Sequence, residues 1–98
     1  MIKGAFLFVF PGADPKKHRA TVETPTFSLI TVGAKDFDDA VNTAKSLVED
    51  GIQLIELCAG FGPIGTAKII EAVGDKIPVG SVSYGIESAG KFLALLQQ

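Results

Sequence analysis

The residues best placed for chemistry lie in the segment IELCAGFGPIG, residues 55–65. Alternation along a strand places Glu56 and Cys58 on the same face. A carboxylate in a central strand is costly to bury, so we expect Glu56 either to pair with Arg19 or Lys3, or to face a pocket as a general acid or base. Cys58, between the strand and a helix start, is a candidate nucleophile, although lone cysteines are more often packing residues.

The glycine loop that follows this strand has the composition of an anion site. A helix N-terminus offers unpaired amides and a partial positive charge, and glycine allows a ligand close to the backbone. The expected ligand-binding residues here are Gly60, Phe61, Gly62 and Gly65. The spacing matches neither a Walker loop nor a dinucleotide fingerprint. The alternative is a glycine-rich turn with ordinary packing.

Two further segments are expected at the same edge of the sheet. The polar segment Pro11–Thr26 is predicted to be a long loop, and loops of that length are often functional. Its His18 is a candidate catalytic group and its Arg19 a candidate anion clamp. Ser83 and Tyr84, after the last strand, add hydroxyls. The alternative is a solvated surface loop, and no serine-histidine-acid triad is indicated.

The elements that must position these residues follow from apolar patterning. Apolar runs predict four strands, and helical spacing predicts a first helix between a capping Asp36 and a terminating Gly51. A second helix is predicted over 63–73 and a third from Ile86, with Ala89, Phe92, Leu93 and Leu96 on its apolar face. The predicted strands are Ala5–Phe10, Phe27–Ala34, Ile52–Ala59 and Ile77–Tyr84. The order β-β-α-β-α-β-α predicts one α/β domain over 1–98, with a largely parallel four-stranded sheet and three helices.

Several segments together resemble a known family. DPKKHRA, the following ET, GIQLIELCAGFGPIG and IPVGSVSYG are similar to a family of small microbial proteins of about this length with no assigned function. The resemblance spans nearly the whole chain and implies no activity, cofactor or catalytic residue. Residues 40–84 also resemble one βα unit of a phosphate-binding (β/α)8 barrel, in which the strand glutamate faces the barrel centre.

Composition excludes several classes of protein. The chain has 98 residues, a net charge of −2 with interspersed signs, one cysteine and one histidine. Nucleic acid is therefore not an expected partner, and neither an internal disulfide nor an ordinary zinc site is possible. No apolar run is long enough to span a membrane. These features predict a cytoplasmic protein without metal or cofactor.

Apolar content is high for so short a chain, at 47% of residues with a mean hydropathy of +0.36. Small domains leave much surface exposed, so we expect self-association into a homo-oligomer. Two functions remain open. One is binding of a small anionic metabolite, phosphate or carboxylate, at the carboxyl edge of the sheet, with lyase or isomerase chemistry as an extension. The other is a non-catalytic structural or interaction protein that assembles with itself.

Overall fold

A computed structural model describes residues 1–98. Five strands, three α-helices and one short 3-10 turn follow one another along the chain. The strands are β1 Ile2–Val9, β2 Arg19–Glu23, β3 Phe27–Ala34, β4 Leu54–Leu57 and β5 Val79–Ser81. The helices are α1 Phe37–Glu49, α2 Gly62–Val73 and α3 Ile86–Leu96, and the 3-10 turn Ala59–Phe61 precedes α2.

The strands form one open sheet in the order β2-β3-β1-β4-β5. β1 is parallel to both β3 and β4, and β4 is parallel to β5. The α/β class and the largely parallel sheet are therefore confirmed. The sheet is open, and β1 leads into β2 rather than into a helix. One chain therefore does not form a closed (β/α)8 barrel.

The predicted number of four strands is wrong, because the segment predicted as a long loop contains β2. This strand pairs antiparallel with β3 at the edge of the sheet, from Arg19 opposite Val32 to Glu23 opposite Ser28. All five of its residues are exposed. Its residues RATVE do alternate polar and apolar, but the alternation spans only five residues with two apolar side chains inside a proline-rich polar segment, which is too short a pattern to identify a strand.

Helix α1 forms where the sequence places its signals. The Asp36 side chain accepts a hydrogen bond from the Asp39 amide at 2.8 Å, which satisfies one of the free amides of the first turn. Gly51, just past the end, adopts φ +100°, a conformation that other residues rarely take. Ala40, Ala44 and Leu47 turn the apolar face toward the sheet.

The core lies between one face of the sheet and the helices α1 and α2. The strand register puts Ala5, Leu7, Val32, Ile55 and Leu57 on the same face, and all are almost fully buried. Side chains from both helices complete the cluster, namely Ala40, Ala44, Leu47, Ile69 and Val73. The molecule is therefore a two-layer structure in which one sheet face is covered.

Helix α3 is the exception among the helices. None of its residues is buried, and its predicted apolar face does not join the core cluster. Phe92 on α3 contacts the segment before the helix, because its ring stacks on that of Tyr84 with the ring centroids 4.5 Å apart. The predicted apolar face of α3 is thus not part of the buried core.

Candidate functional site

A cavity of about 740 Å³ lies where the carboxyl ends of β1 and β4 approach α3. We call it the α3 cavity. This is the end of a parallel sheet at which ligands usually bind. Its lining residues are Phe8, Val9, Phe10, Pro11, Cys58, Ala59, Gly60, Tyr84, Phe92, Leu96 and Gln98.

The backbone at the end of β4 positions one wall of the α3 cavity. The Cys58 amide donates a hydrogen bond to the Leu7 carbonyl at 3.0 Å, which fixes the strand end beside β1. Gly60 follows in the 3-10 turn, and a Cβ placed there would contact Cys58 Sγ and Val9 Cγ1, both at 3.4 Å. The opposite wall is the stacked pair Tyr84 and Phe92.

The α3 cavity is predominantly apolar. Eight of its eleven lining residues are hydrophobic. The polar side-chain groups that reach it are the Cys58 thiol, the Tyr84 hydroxyl and the Gln98 amide, and no lysine, arginine or histidine lines it. Its volume and composition are those of sites that bind small organic molecules, in which few polar groups orient an apolar ligand.

A smaller cavity of about 330 Å³ adjoins it across Tyr84 and Phe92. We call it the α2 cavity, because Gly62 and Pro63 at the start of α2 line it together with Ser81 and Ser83. No side chain caps this helix start. The Gly62 amide already donates to the Ala59 carbonyl and Pro63 has no amide proton, so the donors that this cavity offers an anion are the two serine hydroxyls. The predicted residues Gly62, Ser83 and Tyr84 meet here.

His18 and Arg19 lie elsewhere. Arg19 lines a polar groove of about 510 Å³ beside α1, and its Nε donates to the Pro15 carbonyl at 2.9 Å. His18 Nδ1 accepts a hydrogen bond from the Asp14 amide at 2.8 Å. Three strand spacings separate β2 from β4, which is about 14 Å. The structure therefore does not bring these side chains to Cys58.

Cys58, just beyond the end of β4, packs against the core cluster, whereas Glu56 lies on the sheet face that α1 and α2 do not cover. Glu56 is exposed and lies opposite Phe6 on β1 and Gly80 on β5. The predicted partners Lys3 and Arg19 lie on the other, helix-covered face, so neither faces Glu56. An exposed carboxylate keeps its hydration and needs no partner, which removes the burial cost that motivated both predicted roles.

Phe61 and Gly65 serve packing. Phe61 is 2% exposed, and its ring stacks on Phe37 with centroids 5.7 Å apart. A Cβ at Gly65 would lie 2.8 Å from Phe37 Cε1 and Cζ. Both residues therefore join α2 to α1 and do not reach either cavity.

Sequence reasoning missed much of the lining of the α3 cavity, namely the apolar Phe8, Phe10, Phe92 and Leu96 and the polar Gln98. The signal was present in the aromatic residues FVF at the end of the first apolar run and in the apolar end of the last helix. The first run is predicted as a buried strand and the last helix only as amphipathic, because an apolar residue looks the same in a core and in a ligand cavity.

Comparison with known proteins places the chain in a family. None of the three helices is long and apolar enough to cross a membrane, and no three His, Cys, Asp or Glu side chains cluster as metal ligands would. No curated protein and no solved structure matches the chain significantly. A family model does match residues 2–97, nearly the entire chain, and the predicted resemblance is thereby confirmed. The chain belongs to the family of unknown function DUF6506.

Proposed function

We propose that the protein binds a small organic molecule with an apolar body in the α3 cavity. The supporting observation is a cavity of about 740 Å³ at the carboxyl ends of β1 and β4, with eight hydrophobic residues among its eleven lining residues. Cavities of roughly 300–1,000 Å³ with this composition accommodate small ligands. Tyr84 and Cys58 supply polar contacts that orient the ligand.

The proposal keeps a place for an anionic group on that ligand. The α2 cavity shares Ala59, Tyr84 and Phe92 with the α3 cavity and adds the hydroxyls of Ser81 and Ser83. A carboxylate or phosphate attached to an apolar body would reach these donors while the body fills the larger cavity. Arg19 has no part in this arrangement, because it lines the groove beside α1.

Binding, rather than a reaction, is the function that the arrangement supports. Of the three candidate catalytic residues, Cys58 lines the α3 cavity, whereas Glu56 and His18 do not. A lyase or isomerase needs an acid or base within hydrogen-bonding reach of the substrate. The Tyr84 hydroxyl and the Cys58 thiol are the titratable groups that line this cavity.

The test is an NMR titration of the labelled protein with a panel of aromatic fragments, neutral and anionic: indole, phenol, indole-3-acetate and benzoate. We expect chemical-shift changes at the amides of Cys58, Gly60 and Tyr84. Tighter binding of indole-3-acetate than of indole supports the anion-accepting role of the α2 cavity. Shifts scattered over the surface, or none across the panel, contradict the proposal.

A pair of glycine variants tests the location. Gly60→Leu adds a side chain at the cavity wall, where its Cβ has ordinary contacts with Cys58 and Val9. Gly90→Leu adds the same side chain on α3, where a Cβ meets nothing within 4 Å. We expect Gly60→Leu to weaken binding by roughly tenfold or more, or about 1.4 kcal/mol, and Gly90→Leu to leave it unchanged. Equal affinities would place the ligand elsewhere.

A further inference from the structure

The sheet face opposite α1 and α2 is apolar and uncovered. The register places seven large apolar side chains on this face, which we call the open face: Ile2, Phe6, Phe8, Val22, Phe27, Leu29 and Leu54. The side chains of Phe27 and Leu54 lean over Gly4, and Phe8 lies over Gly33. An apolar sheet face of this kind normally packs against a second layer.

The chain has a larger accessible surface than a compact monomer of the same mass. Its accessible surface is 6413 Å², whereas a compact monomer of this mass exposes about 5,400 Å². Its radius of gyration is 13.6 Å, against about 12.6 Å for a compact chain of this length. The excess, about 1,000 Å², is comparable to the roughly 800 Å² that each partner buries in a standard interface.

The charges on the open face favour another apolar protein surface as its partner. Glu56 is the only charged residue among the strand residues of this face. It lies on β4, directly beside β1 and opposite Phe6, at the border of the pair β1 and β3 that carries Phe6, Phe27 and Leu29. A contact centred on β1 and β3 buries apolar side chains and leaves the carboxylate toward the rim, where charged groups keep their water.

We propose that the open face is the interface of a homodimer, in which a second copy of this chain covers it. The same apolar patch then meets itself across a two-fold axis, the commonest arrangement in soluble oligomers. The surface excess matches one partner of such a dimer, and the face lacks the basic residues that nucleic acid or an anionic membrane requires. The dimer gives the sheet the second layer that the chain itself does not supply.

The interface and the α3 cavity are continuous, since Phe8 belongs to both. A copy that covers the open face thus also approaches the open side of the cavity beside Phe10 and Leu96, which are 55% and 47% exposed. The dimer does not depend on the ligand. If the protein is a dimer that binds no ligand, the dimer proposal stands and the ligand proposal fails. If the protein is a monomer that binds ligand, only the dimer proposal fails.

The experiment measures mass by light scattering during size-exclusion chromatography, with a set of lysine variants. Val22→Lys changes a residue on the open face that is 69% exposed in the chain, so the fold tolerates lysine there. Thr21→Lys changes the adjacent residue of the same edge strand, on the opposite face. Ile64→Lys removes an equally exposed apolar residue, at 71%, from α2.

The expected result is a dimer of twice 10.3 kDa for the unmodified chain and for Thr21→Lys and Ile64→Lys. Val22→Lys should raise the dissociation constant by about tenfold or more, and Ala20→Lys, on the same face, should repeat the effect. Circular dichroism confirms that each variant is folded. A monomeric unmodified chain overturns the proposal. Equal weakening by Thr21→Lys indicates pairing through the edge strand instead and also overturns it.

Discussion

At the scale of single residues, Gly65 shows how a glycine in this chain can be required for packing. A Cβ there would lie 2.8 Å from two ring atoms of Phe37, closer than carbon atoms approach without repulsion. We expect Gly65→Ala to lower the free energy of unfolding by about 1–3 kcal/mol, because Phe37 must move. Urea denaturation measures this change.

The control is a second helical glycine with open space around it. A Cβ at Gly90 on α3 meets nothing within 4 Å, so Gly90→Ala should instead raise the free energy of unfolding, by up to about 1 kcal/mol, through helix propensity. If both variants moved in the same direction, close packing of α2 on α1 would not be what requires glycine at position 65.

Asp36 provides a second test at this scale, on the start of α1. Its carboxylate accepts the Asp39 amide hydrogen bond at 2.8 Å, and Asp36→Ala leaves that amide without its partner. We expect a loss of about 0.5–2 kcal/mol in the free energy of unfolding. Asp38→Ala removes the same charge from the first turn without removing the cap and should cost less. Equal losses would assign the effect to charge alone.

Glu56 marks the limit of residue-level prediction. Glu56 follows strand periodicity and lies on the face opposite Ile55 and Leu57, because alternation is a local property of the backbone. Cys58, beyond the end of β4, packs against the core cluster. Whether Glu56 is buried could not be predicted in this way, since burial depends on which face of the sheet the helices cover. Both α1 and α2 pack on the other face, so Glu56 is exposed.

At the scale of elements, the sequence predicts best what local signals define. The bounds of β3 agree with the prediction, and α1 begins at its predicted cap. β2 is not predicted because its alternation of polar and apolar residues spans only five positions with two apolar side chains. Helical spacing predicts the apolar face of α3, yet none of its residues is buried, and Phe92 stacks only on Tyr84. Apolar content alone does not distinguish a core, a ligand cavity and an interface.

The exposure of α3 makes a prediction about that element. Because none of its residues is buried, a chain that ends at Gly85 should keep the sheet, α1 and α2. We expect methyl NMR signals of Leu7, Ile55 and Ile69, all fully buried in the core, to stay near their original positions, while fragment binding is lost with the Phe92 wall. Collapse of the methyl dispersion would show that α3 contributes to the core fold.

At the scale of the whole molecule, stability and assembly should be coupled. If a second copy covers the open face, unfolding separates two chains, so the melting temperature Tm must rise with protein concentration by mass action. For about 200 residues unfolding together, a tenfold increase in concentration should raise Tm by about 3–5 °C. Differential scanning calorimetry over two decades of concentration measures this slope.

Val22→Lys should flatten the slope and Ile64→Lys should preserve it, because these residues are equally exposed in the chain but only Val22 lies on the open face. A Tm independent of concentration in the unmodified chain, at concentrations where light scattering reports its mass as monomeric, would mean that the apolar sheet face stays in contact with water and that the two-layer fold is stable without a partner.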